Sequence, residues 1–204
     1  MTDVKKKKRG ELIVLSGPSG VGKSTVIAQL LAKRKDMHFS VSFTTRQPRP
    51  GETNGVNYNF VDRAEFERMI AANEFLEHAE YVGNYYGTSL KIIQDHLEQG
   101  TDVLLDIEVQ GAAKVHEKCP DAVLIFIIPP SLDDLAQRLR NRATDSEEVI
   151  ASRLEAAKRE YLEISKYDYL VVNDSVENAV NEIISILTAE SCRLKNRIHL
   201  IEGV

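Results

Sequence analysis

The chain has 204 residues, of which 43% are hydrophobic and 28% are charged, and its formal net charge at pH 7 is -5. These values are typical of one globular domain, or of a core with a small inserted lobe, and the lack of an overall basic charge excludes a general nucleic-acid-binding protein. No apolar run approaches the roughly 20 residues of a membrane span. Two cysteines indicate reduced thiols, so we expect a cytoplasmic protein with no nucleic-acid or membrane partner.

The first predicted feature is a basic N-terminal tail, residues 1–9, with cationic side chains at positions 5–9. It lacks the apolar segment of a signal peptide. A nucleic-acid or membrane patch is one interpretation of these charges, and a solvated tail is the favoured one.

The most specific motif follows a predicted strand at residues 12–16 and opens a predicted helix at residues 23–34. It has the form G-x-x-x-x-G-K-[ST], in which glycines let backbone N–H groups converge on an anion and the helix adds its positive end. Lys23 can reach the β- and γ-phosphates of a nucleotide, and the Ser24 hydroxyl can hold Mg²⁺. We therefore predict a nucleoside triphosphate site formed by Gly17, Pro18, Ser19, Gly20, Val21, Gly22, Lys23, Ser24 and Thr25.

Strands and helices alternate through most of the chain. Three further apolar runs are typical of parallel strands covered on both faces: residues 103–107, 123–128 and 169–172. Helices are predicted from a Ser131 cap to residue 141, from residue 145 or 146 to about 165, and from about residue 176. This alternation predicts an α/β fold with a parallel sheet flanked by helices.

Residues 39–88 interrupt the alternation, because they are rich in Thr, Tyr, Asn and Gly and carry only short alternating runs. We predict a small, partly β lobe inserted into a core of residues 10–38 and 89–204. The lobe contains one helix near residues 63–72 and tight turns at Asn54-Gly55 and Gly83-Asn84.

Two segments of this insert are candidates for ligand binding. Arg46 and Arg49 lie three residues apart in a loop that prolines stiffen, and guanidinium groups bind phosphate bidentately. Surface arginines are common, so a structural role is equally open for the pair alone. Residues 84–88 place two phenols and a hydroxyl beside a glycine, for which an ordinary aromatic turn is an equal alternative.

Taken together, these segments resemble the bacterial guanylate kinases. The resemblance runs from about residue 10 to the C-terminal helix and includes the phosphate loop and residues 42–52, 55–60, 75–79, 83–88 and 105–111. It implies the reaction ATP + GMP ⇌ ADP + GDP with Mg²⁺, and it leaves open whether dGMP also serves. The implied architecture is a P-loop NTPase core, a GMP-binding lobe and a helical lid at about residues 138–156.

The resemblance also assigns the GMP site, residue by residue. Arg46, Arg49, Tyr58 and Tyr86 would hold the phosphate of GMP, and Ser42, Glu77 and Thr88 would read the guanine. One carboxylate can accept guanine N1–H and the exocyclic amino group together. Adenine offers no such pair, which would leave Glu77 unpaired at a cost of about 1–3 kcal/mol. A surface carboxylate at a helix end is the alternative for Glu77.

Asp106 ends a predicted strand, where it could hold Mg²⁺ or touch the nucleotide. An unpaired carboxylate there would be costly, so we expect a partner for it. Glu108 is expected on the same side of the strand, and both acids belong to the predicted GMP site. A purely structural aspartate is the alternative.

The predicted lid carries several arginines. Arg142 and Arg153 match the family positions that close over the triphosphate, with Arg138 close by, although a solvated helix face is the alternative. Asn141 and Ala143 replace the glycines that usually flank the lid arginine, which is expected to stiffen the hinge. Asn173 matches the segment near the adenine. The predicted catalytic residues, which supply positive charge, are Lys23, Arg46, Arg142 and Arg153.

Two other functions share some of these features. Another small-molecule kinase would share the phosphate loop, but Ser42, Glu77 and the tyrosines argue against it. A guanylate-kinase-like scaffold domain would bind phosphopeptides without catalysis, and its phosphate loop is typically degraded. Lys23 and Ser24 are intact in this chain, which favours an enzyme. The sequence is compatible with a homo-oligomer.

Overall fold

The computed structural model describes residues 9–81, 83–141 and 146–201. Most of the predicted basic tail, together with Arg142 and Ala143 of the predicted lid, lies outside these ranges. The strands, in chain order, are β1 Leu12–Ser16, β2 Met37–Phe39, β3 Phe43–Thr44, β4 Asn59–Phe60, β5 Phe75–Tyr81, β6 Asn84–Ser89, β7 Asp102–Asp106, β8 Val123–Ile128 and β9 Tyr169–Val172. The α-helices are α1 Lys23–Lys33, α2 Arg63–Ala71, α3 Leu90–Glu98, α4 Val109–Lys118, α5 Leu132–Arg140, α6 Glu147–Tyr161, α7 Val176–Ser191 and α8 Leu194–Arg197.

The core is a parallel sheet with the strand order β2-β7-β1-β8-β9. Every residue of β1 is buried, because helices cover both faces of the sheet. Ile13 and Leu15 pack with α1 and α7 on one face. Leu12 and Val14 pack with α3 and α4 on the other face. The predicted α/β class, with a parallel sheet flanked by helices, is confirmed.

The long apolar strands are where the sequence predicts them. The strands at residues 12–16, 123–128 and 169–172 are confirmed, and the strand predicted at 103–107 lies one residue earlier, at 102–106. The sequence analysis did not predict β2, α3 or α4. Strand β2 has only three residues, two of them half-buried, which is too short to give a periodic pattern.

The inserted lobe is built on a second sheet, with the strand order β4-β3-β6-β5. Helix α2 covers it and contributes Phe66, whose ring stacks on Phe75 with centroids 4.4 Å apart. The Asp62 carboxylate caps α2 by accepting from the Glu65 N–H at 2.8 Å. Strand β2 ends at Phe39, the first residue of the predicted insert, and Ser89 caps α3.

Helices α5 and α6 form a small unit beside the core. Helix α5 begins at the predicted cap Ser131, and α6 is capped by Ser146, the second of the two starting residues that the sequence left open. Leu135, Leu139 and Ile150 form their shared apolar contact. No helix among the described residues has the length and apolar character needed to cross a membrane.

Candidate active site

The loop between β1 and α1 adopts a conformation that requires glycine. Gly20 and Gly22 have φ values of 93° and 100°, in the left-handed region that other residues rarely adopt. A Cβ atom on Gly22 would lie 2.7 Å from Asn173 Nδ2, and one on Gly17 would lie 2.3 Å from the Ile127 carbonyl oxygen. Helix α1 then begins without a side-chain cap, which leaves its N-terminus able to face an anion.

Lys23 connects this loop to the end of β7. Its Nζ donates to the Gly17 carbonyl oxygen at 2.6 Å and lies 4.0 Å from Asp106 Oδ1. The two meet because β7 pairs with β1 in a register that places Asp106 beside Leu15. Burial raises the pKa of Asp106, and the charge of Lys23 opposes that shift. Lys23 is thus the partner that Asp106 was expected to need.

Glu108 does not lie on the strand that carries Asp106. Strand β7 ends at Asp106, and Glu108 is the exposed residue that precedes α4. The prediction that the two acids share one strand face is therefore wrong, because the chain has already left the sheet. The charge of Glu108 still acts on its neighbour and contributes to the raised pKa of Asp106.

An arginine and two tyrosines of the lobe form a cationic, aromatic cluster. The Arg46 guanidinium carbon lies 5.3 Å from the centroid of the Tyr58 ring. The Tyr58 and Tyr86 rings meet edge to face, with centroids 5.9 Å apart. The phenol of Tyr58 is a hydrogen-bond donor at neutral pH, and burial raises its pKa, which keeps it so. The fourth predicted phosphate ligand, Arg49, is exposed beside this cluster.

Glu77 and Thr88 form a buried polar pair on neighbouring strands of the lobe. They face each other in the β5–β6 register, and Thr88 Oγ1 donates to Glu77 Oε1 at 2.6 Å. Glu77 is 7% exposed and Thr88 is 1% exposed. Burial raises the pKa of Glu77, and the bond from Thr88 lowers it. The alternative of a surface carboxylate at a helix end is therefore wrong. Ser42 immediately precedes β3, the strand next to β6.

Residues from α5, from α6 and from the segment after β9 also reach the phosphate loop. Arg138 of α5 donates to the carbonyl oxygens of Val21 and Asn173, at 3.0 and 2.8 Å. Asn173 Nδ2 also donates to Val21 at 2.7 Å, while its buried Oδ1 has no hydrogen-bond partner among the described residues. Arg153 of α6 donates to Ser19 Oγ at 3.3 Å. The structure thus brings Arg138 and Arg153 to the phosphate loop, whereas Arg140 pairs with Glu147.

Comparison with known proteins identifies the family. The model of the guanylate kinase family matches residues 9–190. A guanylate kinase of Desulfitobacterium hafniense is 50% identical over 198 residues, which are 97% of this chain and 99% of that protein. One of Lactococcus lactis is 52% identical over 202 residues, 97% of this chain and 98% of that protein. The chain belongs to the guanylate kinase family.

A solved structure agrees with this assignment. The crystal structure of the guanylate kinase from Anaplasma phagocytophilum matches with a TM-score of 0.75 and 39% identity, over 93% of this chain and 90% of that one. The inserted lobe and the α5–α6 unit therefore belong to a guanylate kinase fold built on a P-loop core.

Glu52 is a residue of the candidate site to which the sequence analysis gave no role. Its Oε1 accepts from Arg46 Nη2 at 2.9 Å, and its Oε2 accepts from the Arg49 backbone N–H at 2.8 Å. Arg46 Nη1 also donates to the Gln47 carbonyl oxygen at 2.8 Å. The signal in the sequence was a carboxylate in the same proline-rich loop, but no spacing rule pairs residues across an irregular loop.

Proposed function

We propose that the protein transfers the γ-phosphoryl group of ATP to GMP, giving ADP and GDP. The buried Glu77–Thr88 pair carries this proposal, because it provides a desolvated acceptor in the lobe that we predict to bind the monophosphate. The phosphate loop around Lys23 is the proposed donor site. The roles proposed for the individual residues rest on their geometry and chemistry.

The carboxylate of Glu77 is proposed to accept both N–H groups on one edge of guanine. Thr88 fixes its orientation by donating to Oε1. Ser42, which immediately precedes β3, is proposed to satisfy guanine O6. Adenine lacks this pair of donors, so its binding would leave a buried acceptor unpaired, at a cost of about 1–3 kcal/mol.

The cluster of Arg46, Tyr58 and Tyr86, with Arg49 beside it, is proposed to hold the phosphate of GMP. Guanidinium and phenol donors suit phosphate oxygens, and Glu52 holds Arg46 in place before the ligand arrives. The phosphate is already anionic at neutral pH, so its attacking oxygen needs no strong base.

The residues present fit a Mg²⁺ ion. Oxygen donors are the ligands that Mg²⁺ prefers, and the Asp106 carboxylate accepts no hydrogen bond from another described residue. We propose that Ser24 and Asp106 hold the ion together with phosphate oxygens and water. When bound, it would neutralise part of the charge of the phosphates.

The protein's contribution to the transfer is proposed to be positioning and positive charge. Lys23 and the amide groups of the loop hold the donor phosphates, and Arg46 holds the acceptor. Arg153 and Arg142 would surround the transferred group, with Arg138 bracing the loop. The free Oδ1 of Asn173 suits the amino group of adenine. Closure around both nucleotides would exclude water and suppress hydrolysis of ATP.

The cellular context is proposed from the cysteines. Cys119 and Cys192 are free thiols, which suits the reducing cytoplasm. The division into core, lobe and lid, the lid's role in closure and a homo-oligomeric state stay predictions.

The test is a coupled assay of ATP-dependent phosphorylation of GMP, dGMP, AMP, CMP and UMP. We expect GMP to be preferred over AMP by at least about tenfold in kcat/KM, as an unpaired buried acceptor implies. Equal rates with GMP and AMP would refute the guanine-reading role of Glu77.

A further inference from the structure

The outer edge of the lobe sheet is attached to the core by two lysines. Strand β5 is at the edge of its sheet, so one row of its carbonyl groups lacks a strand partner. Lys114 Nζ donates to the His78 carbonyl oxygen at 2.7 Å, and Lys118 Nζ donates to that of Leu76 at 2.5 Å. These carbonyls flank Glu77. Lys114 and Lys118, four residues apart on α4, are called the α4 lysine pair.

The carboxylate of Glu77 lies against the same face of α4. A Cβ atom built on Gly111 would lie 3.2 Å from Glu77 Oε2. Gly111 is three residues before Lys114 and seven before Lys118, which is the spacing of one helical face. The buried carboxylate therefore lies against Gly111, on the helix face that also carries two ammonium groups fixed by hydrogen bonds to the residues on either side of Glu77.

Burial favours the neutral form of Glu77, and a few neighbouring groups oppose this effect. Burial raises the pKa of Glu77, and the Thr88 hydroxyl, Lys114 and Lys118 lower it, in that order of effect. The neighbouring His78 has a lowered pKa because of burial and the same two lysines, so it adds no positive charge at neutral pH. The charged side chains that act on Glu77, among the described residues, are thus the α4 lysine pair.

We propose that Lys114 and Lys118 are positioning residues for guanine recognition, which fix β5 to α4 and keep the Glu77 carboxylate ionised. The pair does not touch the base in this scheme. A protonated Glu77 would present an O–H where guanine presents N–H groups, so its acceptor function would be lost. The proposal rests on the proposed role of Glu77, and it adds that α4 of the core sets the lower pH limit of GMP binding.

The first test measures the dissociation constant for GMP from pH 5.5 to 8.5 in Lys114→Met, Lys118→Met and the double variant. Methionine keeps most of the side-chain length and removes the charge. We expect a small loss of affinity at pH 8.5, because β5 loses its hydrogen bonds to α4, and a much larger loss at low pH, because the protonation midpoint moves upward. At pH values well below the protonation midpoint of Glu77, a midpoint that is higher by about one pH unit weakens GMP binding by about tenfold.

Two controls separate charge from folding. Lys91→Met removes an exposed lysine of α3 and is expected to leave the pH dependence unchanged. Arginine at both positions of the pair keeps the charge and is expected to restore the pH dependence. A double methionine variant with the original midpoint, or with an equal loss of affinity at every pH, would overturn the proposal.

The second test needs no substrate. Carbon-13 labelling of glutamate carboxyls, with Glu77→Gln to assign the resonance, gives the titration midpoint of Glu77 in the free protein by NMR. We expect a higher midpoint in the double methionine variant, and an unchanged one would overturn the proposal. If the midpoint moves but GMP binding does not follow it, the proposed guanine-reading role fails instead.

Discussion

At the scale of single residues, the candidate site depends on a few charged groups that are held by their neighbours before any ligand binds. Lys23 is held by a backbone carbonyl, Arg46 by Glu52, and Glu77 by Thr88. Groups fixed in advance lose little conformational freedom on binding, which favours affinity and correct orientation. Three substitutions test these arrangements.

Lys23→Ala is expected to reduce kcat by at least about 100-fold, because it removes a positive charge from the site of the transferred phosphate. The fold should persist, since the hydrogen bond and the ion pair of this side chain go to the loop and to Asp106 at the end of β7, outside the apolar core. A coupled assay with a circular dichroism melt measures both effects. Lys33→Ala, at the exposed end of α1, is the control, and normal turnover in Lys23→Ala would contradict its role.

Glu52→Gln is expected to raise the KM for GMP by about three- to tenfold, because Arg46 and the Arg49 backbone lose the carboxylate that orders their loop. The KM for ATP should not change, since the donor loop is a separate element. Initial-rate kinetics in both substrates measure this. Glu67→Gln, which breaks an exposed ion pair with Arg63 on α2, is the control. An equal change in both KM values would argue against the role of Glu52.

Glu77→Gln is expected to raise the KM for GMP by about 10- to 100-fold, since the amide presents N–H groups to the N–H groups of guanine. It is also expected to raise the Tm at neutral pH. The pKa of Glu77 is raised by burial, so the native state binds its proton more tightly, and stability falls as pH rises through the folded pKa.

The gain in Tm from Glu77→Gln should therefore shrink as the pH is lowered and the wild-type carboxyl becomes neutral. Calorimetric scans at several pH values measure this. Glu80→Gln, on the same strand and exposed, serves as the control. A gain that is constant across pH would show that desolvation of Glu77 is not its cause.

At the scale of elements, the proposed donor site lies where the ends of β1 and β7 meet the first turns of the following helices. The sequence predicted β1, β7 and α1 because long apolar runs and glycine-rich turns are local patterns, but it did not predict α4. The same patterns failed at β2, which is too short, and at Glu108, where the chain leaves the strand earlier than expected. Where an element stops depends on what packs around its end.

The phosphate loop provides a prediction at this scale. Gly22→Ala is expected to destabilise the protein by about 1–3 kcal/mol and to weaken ATP binding, because it combines a left-handed φ with a Cβ atom 2.7 Å from Asn173 Nδ2. Gly55→Ala, at a φ of 77° with open space around it, isolates the cost of the backbone alone, about 1 kcal/mol. Denaturant unfolding compares them, and equal losses would show that the contact with Asn173 is unimportant.

At the scale of the whole molecule, the two proposed substrate sites lie in different parts of the fold, one in the core and one in the inserted lobe. The stabilisation by ATP and the stabilisation by GMP should therefore be lost in different variants. A ligand at 100 times its Kd stabilises the native state by about 2.7 kcal/mol, which is about 5–10 °C in Tm for a protein of this size.

We expect Lys23→Ala to lose the Tm shift caused by ATP and to keep the shift caused by GMP. Glu77→Gln should do the opposite. Thermal denaturation with each nucleotide alone measures both shifts, and AMP serves as the ligand control. Loss of both shifts in either variant would indicate one continuous site rather than two.

The sequence by itself determined the fold class, the donor loop and the order of the family motifs, because each is encoded within a short stretch of chain. The glycines, Lys23 and Ser24 must be neighbours in sequence to act together. The tertiary structure alone decided which polar and charged groups, distant in the sequence, come into contact. Lys114 donates to a carbonyl oxygen 36 residues away in the sequence. Asp106, at the end of β7, lies beside Lys23, which follows the neighbouring strand β1. These contacts follow from sheet register and helix packing rather than from any local pattern.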